Sequence, residues 1–232
     1  MIIGGLLKNS LIDYPGKLSC GIFLSGCNFD CPYCHNPDLA KGCSLTTAES
    51  DLQNVYRFIE NRKGFLDGVV ISGGEPTLQK DLFDLCENIK QMGYPVKLDT
   101  NGSRPEVLKP LIQERLLDYV AMDVKCDPLK YSPFITGDSV TDRIFSSIRI
   151  IMESNIDYEF RTTCVKPIVD ENMIEAIAKT VKGARLLALQ HFNDGKVLDP
   201  QFFQKDTGRN ELPDLDYLRS IAEPWVERCI VR

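Results

Sequence analysis

Short runs rich in β-branched and apolar residues alternate along the chain with longer stretches in which apolar positions return every three or four residues. The first kind predicts strands: SCGIFLS (19–25), GVVIS (68–72), PVKLDT (95–100), DYVAMDVK (118–125), DYEFRTTCV (157–165) and ARLLALQHF (184–192). They are apolar at most positions, as expected when helices cover a parallel sheet. The second kind predicts helices. LTTAESDLQNVYRFIENR (45–62) puts Leu52, Val55, Tyr56 and Ile59 on one stripe. KDLFDLCENIKQMG (80–93) repeats Leu82, Leu85, Ile89 and Met92 and stops at Gly93. RPEVLKPLIQERL (104–116), SVTDRIFSSIRIIMESN (139–155) and DENMIEAIAKTVKG (170–183) follow, the last stopping at Gly183. LDYLRSIAEPWVERC (215–229) is broken by Pro224.

Strands alternating with helices predict an α/β fold with a parallel sheet and right-handed crossovers. Six such units are too few for a closed eight-fold barrel. The expectation is a partial (β/α)6 TIM-like barrel, with an open doubly wound sheet as its rival. Either architecture collects ligands at the carboxyl ends of the strands. The polar and glycine-rich features fall there: Cys27 after the first strand, Gly73-Gly74-Glu75-Pro76 after the second, Asp99-Thr100-Asn101-Gly102 at the third. Asp123 and Lys125 close the fourth, and Gln190 and His191 the sixth. One site at one face is expected.

Composition narrows the function classes. The 232 residues are 43% hydrophobic and 26% charged, enough for a sizeable core without staples. A net charge of −6 argues against a broad nucleic-acid or anionic-membrane footprint. No apolar run approaches about 18 residues, and the N-terminus lacks the basic start of a signal peptide. A cytoplasmic protein with no membrane partner is expected. Its nine cysteines then read as reduced thiols rather than a disulfide framework.

Three of those cysteines are grouped in CNFDCPYCHNP (27–37), spaced Cys27-x3-Cys31-x2-Cys34. The segment admits three readings. CPYCH is the pattern of covalent haem attachment. Cys27, Cys31, Cys34 and His35 could supply four zinc ligands, although the adjacent Cys34 and His35 are poorly placed to converge. Three thiolates could also hold a [4Fe–4S] cluster with one iron left open to an N,O-donor ligand. The other six cysteines (Cys20, Cys43, Cys86, Cys126, Cys164, Cys229) are scattered singly and read as small buried apolar residues.

CNFDCPYC, with GGEP after the next strand, resembles the radical S-adenosylmethionine (radical SAM) superfamily, Tyr33 being the aromatic of its C-x3-C-x-Φ-C signature. The resemblance implies a [4Fe–4S] cluster on Cys27, Cys31 and Cys34. It implies that ISGGEPTLQ (71–79) meets the amino group of S-adenosylmethionine through Gly73, Gly74, Glu75 and Pro76. LDTNG (98–102), MDVK (122–125) and YCHN (33–36) resemble the branch that activates glycyl-radical enzymes. GGLLKNSLIDYPGK (4–17) is similar to the subgroup that activates anaerobic ribonucleoside-triphosphate reductase. Asp123 and Lys125 stand two apart on one strand and so share a face. The branch implies Lys125 for the cofactor's carboxylate and Asp99, Thr100 and Asp123 around a monovalent cation. Asn101 and His191 are implied at the cofactor, and Arg161 near the target peptide. No catalytic side chain is expected beyond cluster and cofactor. The implied activity is reductive cleavage of S-adenosylmethionine at the cluster and abstraction of a hydrogen atom from a glycine of a partner enzyme, with flavodoxin or ferredoxin as electron donor. Two rivals are a radical SAM enzyme acting on a small molecule, such as a modified-purine synthase, and a non-enzymatic iron–sulfur or zinc protein. The domain expectation is one unit over 1–232, with a core at about 17–195 and an extension at about 196–232.

Overall fold

The computed structural model describes residues 1–42, 51–131, 140–193, 195–202 and 213–232. Among the described residues, eight strands form one sheet in the order of the chain: β1 (Ile3–Ser10), β2 (Ser19–Leu24), β3 (Gly68–Gly73), β4 (Val96–Thr100), β5 (Tyr119–Asp123), β6 (Asp157–Cys164), β7 (Leu187–His191) and β8 (Cys229–Val231). β2 to β8 run parallel, and β1 joins the edge antiparallel to β2. A doubly wound sheet reverses its strand order at a switch point. Here the order never reverses, so the sheet winds one way, as in a barrel, with β1 and β8 at its two edges.

The six predicted strands are β2 to β7. The sequence reading missed β1 and β8, for physical reasons. β1 carries two glycines and a half-exposed polar end, so it lacks an apolar run. β8 is three residues long and hides among the residues of the expected final helix. That helix stops at Ala222, before Pro224, and the chain re-enters the sheet beside β7.

The helices are α1 (Pro37–Ala40), α2 (Leu52–Glu60), α3 (Leu82–Gln91), α4 (Pro105–Gln113), α5 (Thr141–Met152), α6 (Glu171–Thr180) and α7 (Leu215–Ala222). The starts of α2, α6 and α7 are written in short polar residues. Asp51, Asp170 and Asp214 each accept a backbone N–H of the first turn, at 3.0, 2.8 and 3.0 Å. α3 ends as predicted, with Gly93 past its end at φ +91°. The predicted stripe of 45–62 is buried at Val55 and Ile59; its first residues, 45–50, lie outside the described residues, as does Cys43.

Strand alternation divides the core in two. Val69, Ile71, Leu98, Val120, Met122, Leu187 and Leu189 face the helices and are fully buried, each contributing roughly 1.5–3 kcal/mol. The opposite parity faces inward. At the amino ends of the strands, Tyr14, Val70, Tyr119 and Ala121 form a small apolar floor, with the two tyrosine rings 5.8 Å apart. Above that floor the interior turns polar. Cys20, Cys86, Cys126, Cys164 and Cys229 are buried singly. Among the described residues, no helix is long and apolar enough to cross a membrane.

Candidate functional site

The cysteine loop leaves β2 and folds back on α1. Gly26 N–H donates to Leu39 O at 2.7 Å and Cys27 N–H to Ala40 O at 3.0 Å; a turn closes from Cys34 N–H to Cys31 O at 3.0 Å. The end of β3 presses against this loop. Gly74 N–H donates to Leu24 O and Glu75 N–H to Gly26 O, both at 2.8 Å. A Cβ on Gly74 would stand 2.2 Å from Gly26 O. Gly73 has φ +124°, and its Cβ would stand 2.2 Å from Leu24 O. The expectation was that these glycines admit a ligand. What they admit first is the backbone that carries the cysteines.

A cavity of about 440 Å³ opens at the carboxyl ends of the strands, within the range of small-molecule sites. It brings together Cys27, Cys31, Tyr33, Cys34, Gly73, Gly74, Asp99, Thr100, Asn101, Asp123, Lys125 and Arg161. Three expected residues are not brought there. Glu75 is fully buried, and its carboxylate turns into the protein, accepting from Thr77 N–H (3.1 Å), Thr77 Oγ1 (2.5 Å), Thr100 Oγ1 (2.8 Å) and Asn101 N–H (2.6 Å). Pro76 is buried at the start of a single 3-10 turn, Pro76–Leu78. His191 ends β7 exposed, while its neighbour Gln190 lines the cavity. Successive strand residues face opposite ways, so only one of the two can point inward.

The cavity also contains residues the sequence reading passed over. Ser72 and Thr163 line it. Each stands two residues from an inward position (Val70, Arg161), so strand parity was the available signal. Gln190, expected at this face but without a role, lines it too. Asp13 lines it from the β1–β2 loop, and there no periodic signal existed.

Five charges knit β4, β5 and β6 together. Asp99 Oδ1 takes a very short bond from Lys97 Nζ, and Oδ2 accepts from Ser72 Oγ at 3.0 Å, with Arg161 Nη1 at 3.4 Å. Asp123 Oδ1 accepts from Arg161 Nε at 2.7 Å and Oδ2 from Lys125 Nζ at 2.9 Å. Burial alone would raise both carboxyls. Arg161 and Lys97 overcome that at Asp99, and Arg161 and Lys125 at Asp123, and both are held below the ordinary carboxylate range. Burial opposes the charge on Lys125, but Asp123 and then Cys31 raise it.

The donor chemistry fits a [4Fe–4S] cluster. Three thiols edge one cavity, with Phe29 N–H 3.4 Å and Asn101 Nδ2 4.0 Å from Cys27 Sγ; such contacts tune a cluster. Burial pushes the Cys27 and Cys31 thiols up to about 12 and about 11, so iron must displace their protons. A single ion with about 2.3 Å bonds gathers its sulfurs tightly. No such close trio of His, Cys, Asp or Glu exists among the described residues, whereas a cube holds its corner ligands apart. Lys125 at the rim suits a carboxylate. Every oxygen of Asp99 and Asp123 has a donor from the chain.

A family profile described as the radical SAM superfamily matches residues 22–181. A provisionally named glycyl-radical enzyme activating enzyme of Methanocaldococcus jannaschii is 40% identical over 237 aligned positions, covering 100% of this chain and 95% of that protein. The pyruvate formate-lyase-activating enzyme of Clostridium pasteurianum is 37% identical over 50% of this chain and 48% of its own length. A protein of Pyrococcus horikoshii, provisionally named GTP 3',8-cyclase, is 25% identical over 78% of this chain and 57% of its own length. Among solved structures, methylornithine synthase superposes with a TM-score of 0.64 at 17% identity, over 91% of this chain and 63% of that one. That likeness speaks to the fold.

Proposed function

The chain belongs to the radical SAM superfamily, and from that premise we propose that it is an activase that installs a radical on a glycine of a partner glycyl-radical enzyme. The observation that carries this reading is the union, in one cavity, of three thiols from a single loop with the Asp123–Lys125 pair at the end of β5. When bound, the cluster and S-adenosylmethionine supply one-electron cleavage of the sulfonium and a hydrogen-atom abstraction.

The chain's own residues hold and orient. Cys27, Cys31 and Cys34 would ligate three irons and leave the fourth to the cofactor. Lys125, which donates to Asp123 Oδ2 at 2.9 Å, would turn to take the cofactor's carboxylate. Asn101 donates to Asn28 Oδ1 at 3.0 Å, and Asn28 to Ser103 Oγ at 2.9 Å. This network ties the cysteine loop to the end of β4, which fixes the thiols relative to the cofactor's seat. The gap between the edges at β1 and β8 suits a glycine-bearing loop better than a closed barrel would. Full-length correspondence with an activating-enzyme relative supports the same reading.

Within it, the partner we favour is anaerobic ribonucleoside-triphosphate reductase, on the resemblance of the segment 4–17. A low-potential flavodoxin or ferredoxin would reduce the cluster, since such potentials reach about −700 mV. The test mixes anaerobically reconstituted protein, reductant and S-adenosylmethionine with candidate partners. The expected outcome is a glycine-centred EPR doublet in one of them, with one 5′-deoxyadenosine formed per radical. Brisk 5′-deoxyadenosine formation with a small-molecule extract, and none with any glycyl-radical protein, would overturn it in favour of a small-molecule substrate.

A further inference from the structure

Lys125 has to exchange one carboxylate for another. Its Nζ donates to Asp123 Oδ2 at 2.9 Å, and the cofactor's carboxylate would draw it from there. An ammonium on a flexible four-carbon stem reaches only as far as its backbone lets it. What fixes that backbone therefore decides what Lys125 can hold.

β5 ends at Asp123, and the chain then leaves the sheet. Val124 is still tied to β6: its N–H donates to Arg161 O at 2.8 Å, and its carbonyl accepts from Thr162 Oγ1 at 2.9 Å. Lys125 N–H lies past that ladder, and a backbone donor shielded from water needs a partner. It donates to Tyr131 Oη at 3.0 Å. A short turn brings the phenol back to that point. Asp127 Oδ1 accepts from Leu129 N–H at 3.0 Å at the start of the 3-10 turn Pro128–Lys130. Thr141 Oγ1, at the start of α5, donates to Pro128 O at 2.9 Å and anchors the turn.

The ring of Tyr131 makes a second contact. It meets Phe29 edge to face, with centroids 5.8 Å apart and planes at 74°, an arrangement that aromatic pairs prefer. Phe29 lies between Cys27 and Cys31, and its N–H is 3.4 Å from Cys27 Sγ. Phe29 and Lys125 both line the cavity. Tyr131, 2% exposed, joins the two.

We infer that Tyr131 is a positioning residue for cofactor binding: its hydroxyl holds the backbone of Lys125 and its ring holds the cysteine loop, so one side chain sets the span between the thiols and the ammonium. The inference rests on the reading that Lys125 takes the cofactor's carboxylate, but not on the identity of the protein partner.

The test compares S-adenosylmethionine with its decarboxylated analogue, which lacks the carboxylate. Binding to the anaerobically reconstituted holoenzyme is measured by equilibrium dialysis and counted per cluster-bearing chain. K125M is the reference and is expected to narrow the preference for the carboxylate-bearing ligand. Y131F keeps the ring and removes the acceptor. It is expected to weaken S-adenosylmethionine by about fivefold to tenfold and to leave the analogue nearly unchanged. The double variant K125M/Y131F is expected to bind no more weakly than K125M, because both changes act through one ammonium. Equal weakening of both ligands by Y131F, or additive losses in the double variant, overturns the inference, since a general loosening of the fold would act that way. If Y131F does not fold, F29L, which removes the ring's partner and leaves the hydroxyl, is expected to narrow the same preference, and an unchanged preference overturns the inference. A preference that survives K125M sinks the reading of Lys125 and this inference with it; one that narrows in K125M but not in Y131F sinks the inference alone. No partner protein is present, so a missing glycyl radical leaves this result standing.

Discussion

At the scale of single residues, Glu75 shows how a legible letter can have an illegible role. GGEP marks the site, yet nothing in the letters says which way the carboxylate turns. Burial raises its carboxyl above the ordinary value, and Asn101 N–H, Thr77 and Thr100 draw it partly back. Its work is to tie the β3 turn to the β4 turn. E75Q replaces one accepting oxygen with an amide that faces a donor. The expected cost is about 2–3 kcal/mol in urea unfolding. A direct cofactor contact would behave differently: stability would hold within about 0.5 kcal/mol while S-adenosylmethionine affinity fell. The two outcomes separate the seen arrangement from the expected one. His191 teaches the same lesson, because parity along β7 sends Gln190 inward instead.

At the scale of elements, most of the sheet was legible because each of β2 to β7 buries an apolar row against the helices. β1 and β8 were not, because edge strands need only one buried face, and β8 pairs through backbone groups over three residues. The seat of the cysteine loop was half legible. The glycines were visible, but the contact they permit is between elements distant in sequence. Gly73 and Gly74 are both tight points, since a Cβ at either would meet backbone rather than a yielding side chain, and Gly74 is the one without a positive φ. G74A is expected to cost at least about 1–3 kcal/mol and to lower the iron bound per chain on anaerobic reconstitution. G93A is the control. Its site has positive φ but open space, so it should cost about 1 kcal/mol and leave the iron content unchanged. Equal iron loss in both would mean that general destabilisation, not the seating of the loop, governs cluster uptake.

At the scale of the whole molecule, the fold places an apolar floor at one end of the barrel and a charge lattice at the other, and the lattice makes stability depend on pH. Asp99 and Asp123 have folded carboxyls below their unfolded values, because Arg161 with Lys97 and with Lys125 outweighs burial. In the unfolded chain such groups titrate near about 4. The unfolded state therefore binds more protons in the acid range. The stability these carboxylates add is complete above that value and is lost as pH falls below it toward the folded values. Each contributes a slope of up to about 1.4 kcal/mol per pH unit inside its window. D123N removes one such group and leaves Arg161 and Lys125 facing each other with less neutralisation. It should be less stable than wild type at pH 7, and the gap should close on acidification toward pH 3. Urea midpoints of the chelator-treated protein across that range measure it. A gap that stays constant would show that Asp123 acts by packing and hydrogen bonding alone, and the lattice would lose its claim to hold β4, β5 and β6 in register by charge.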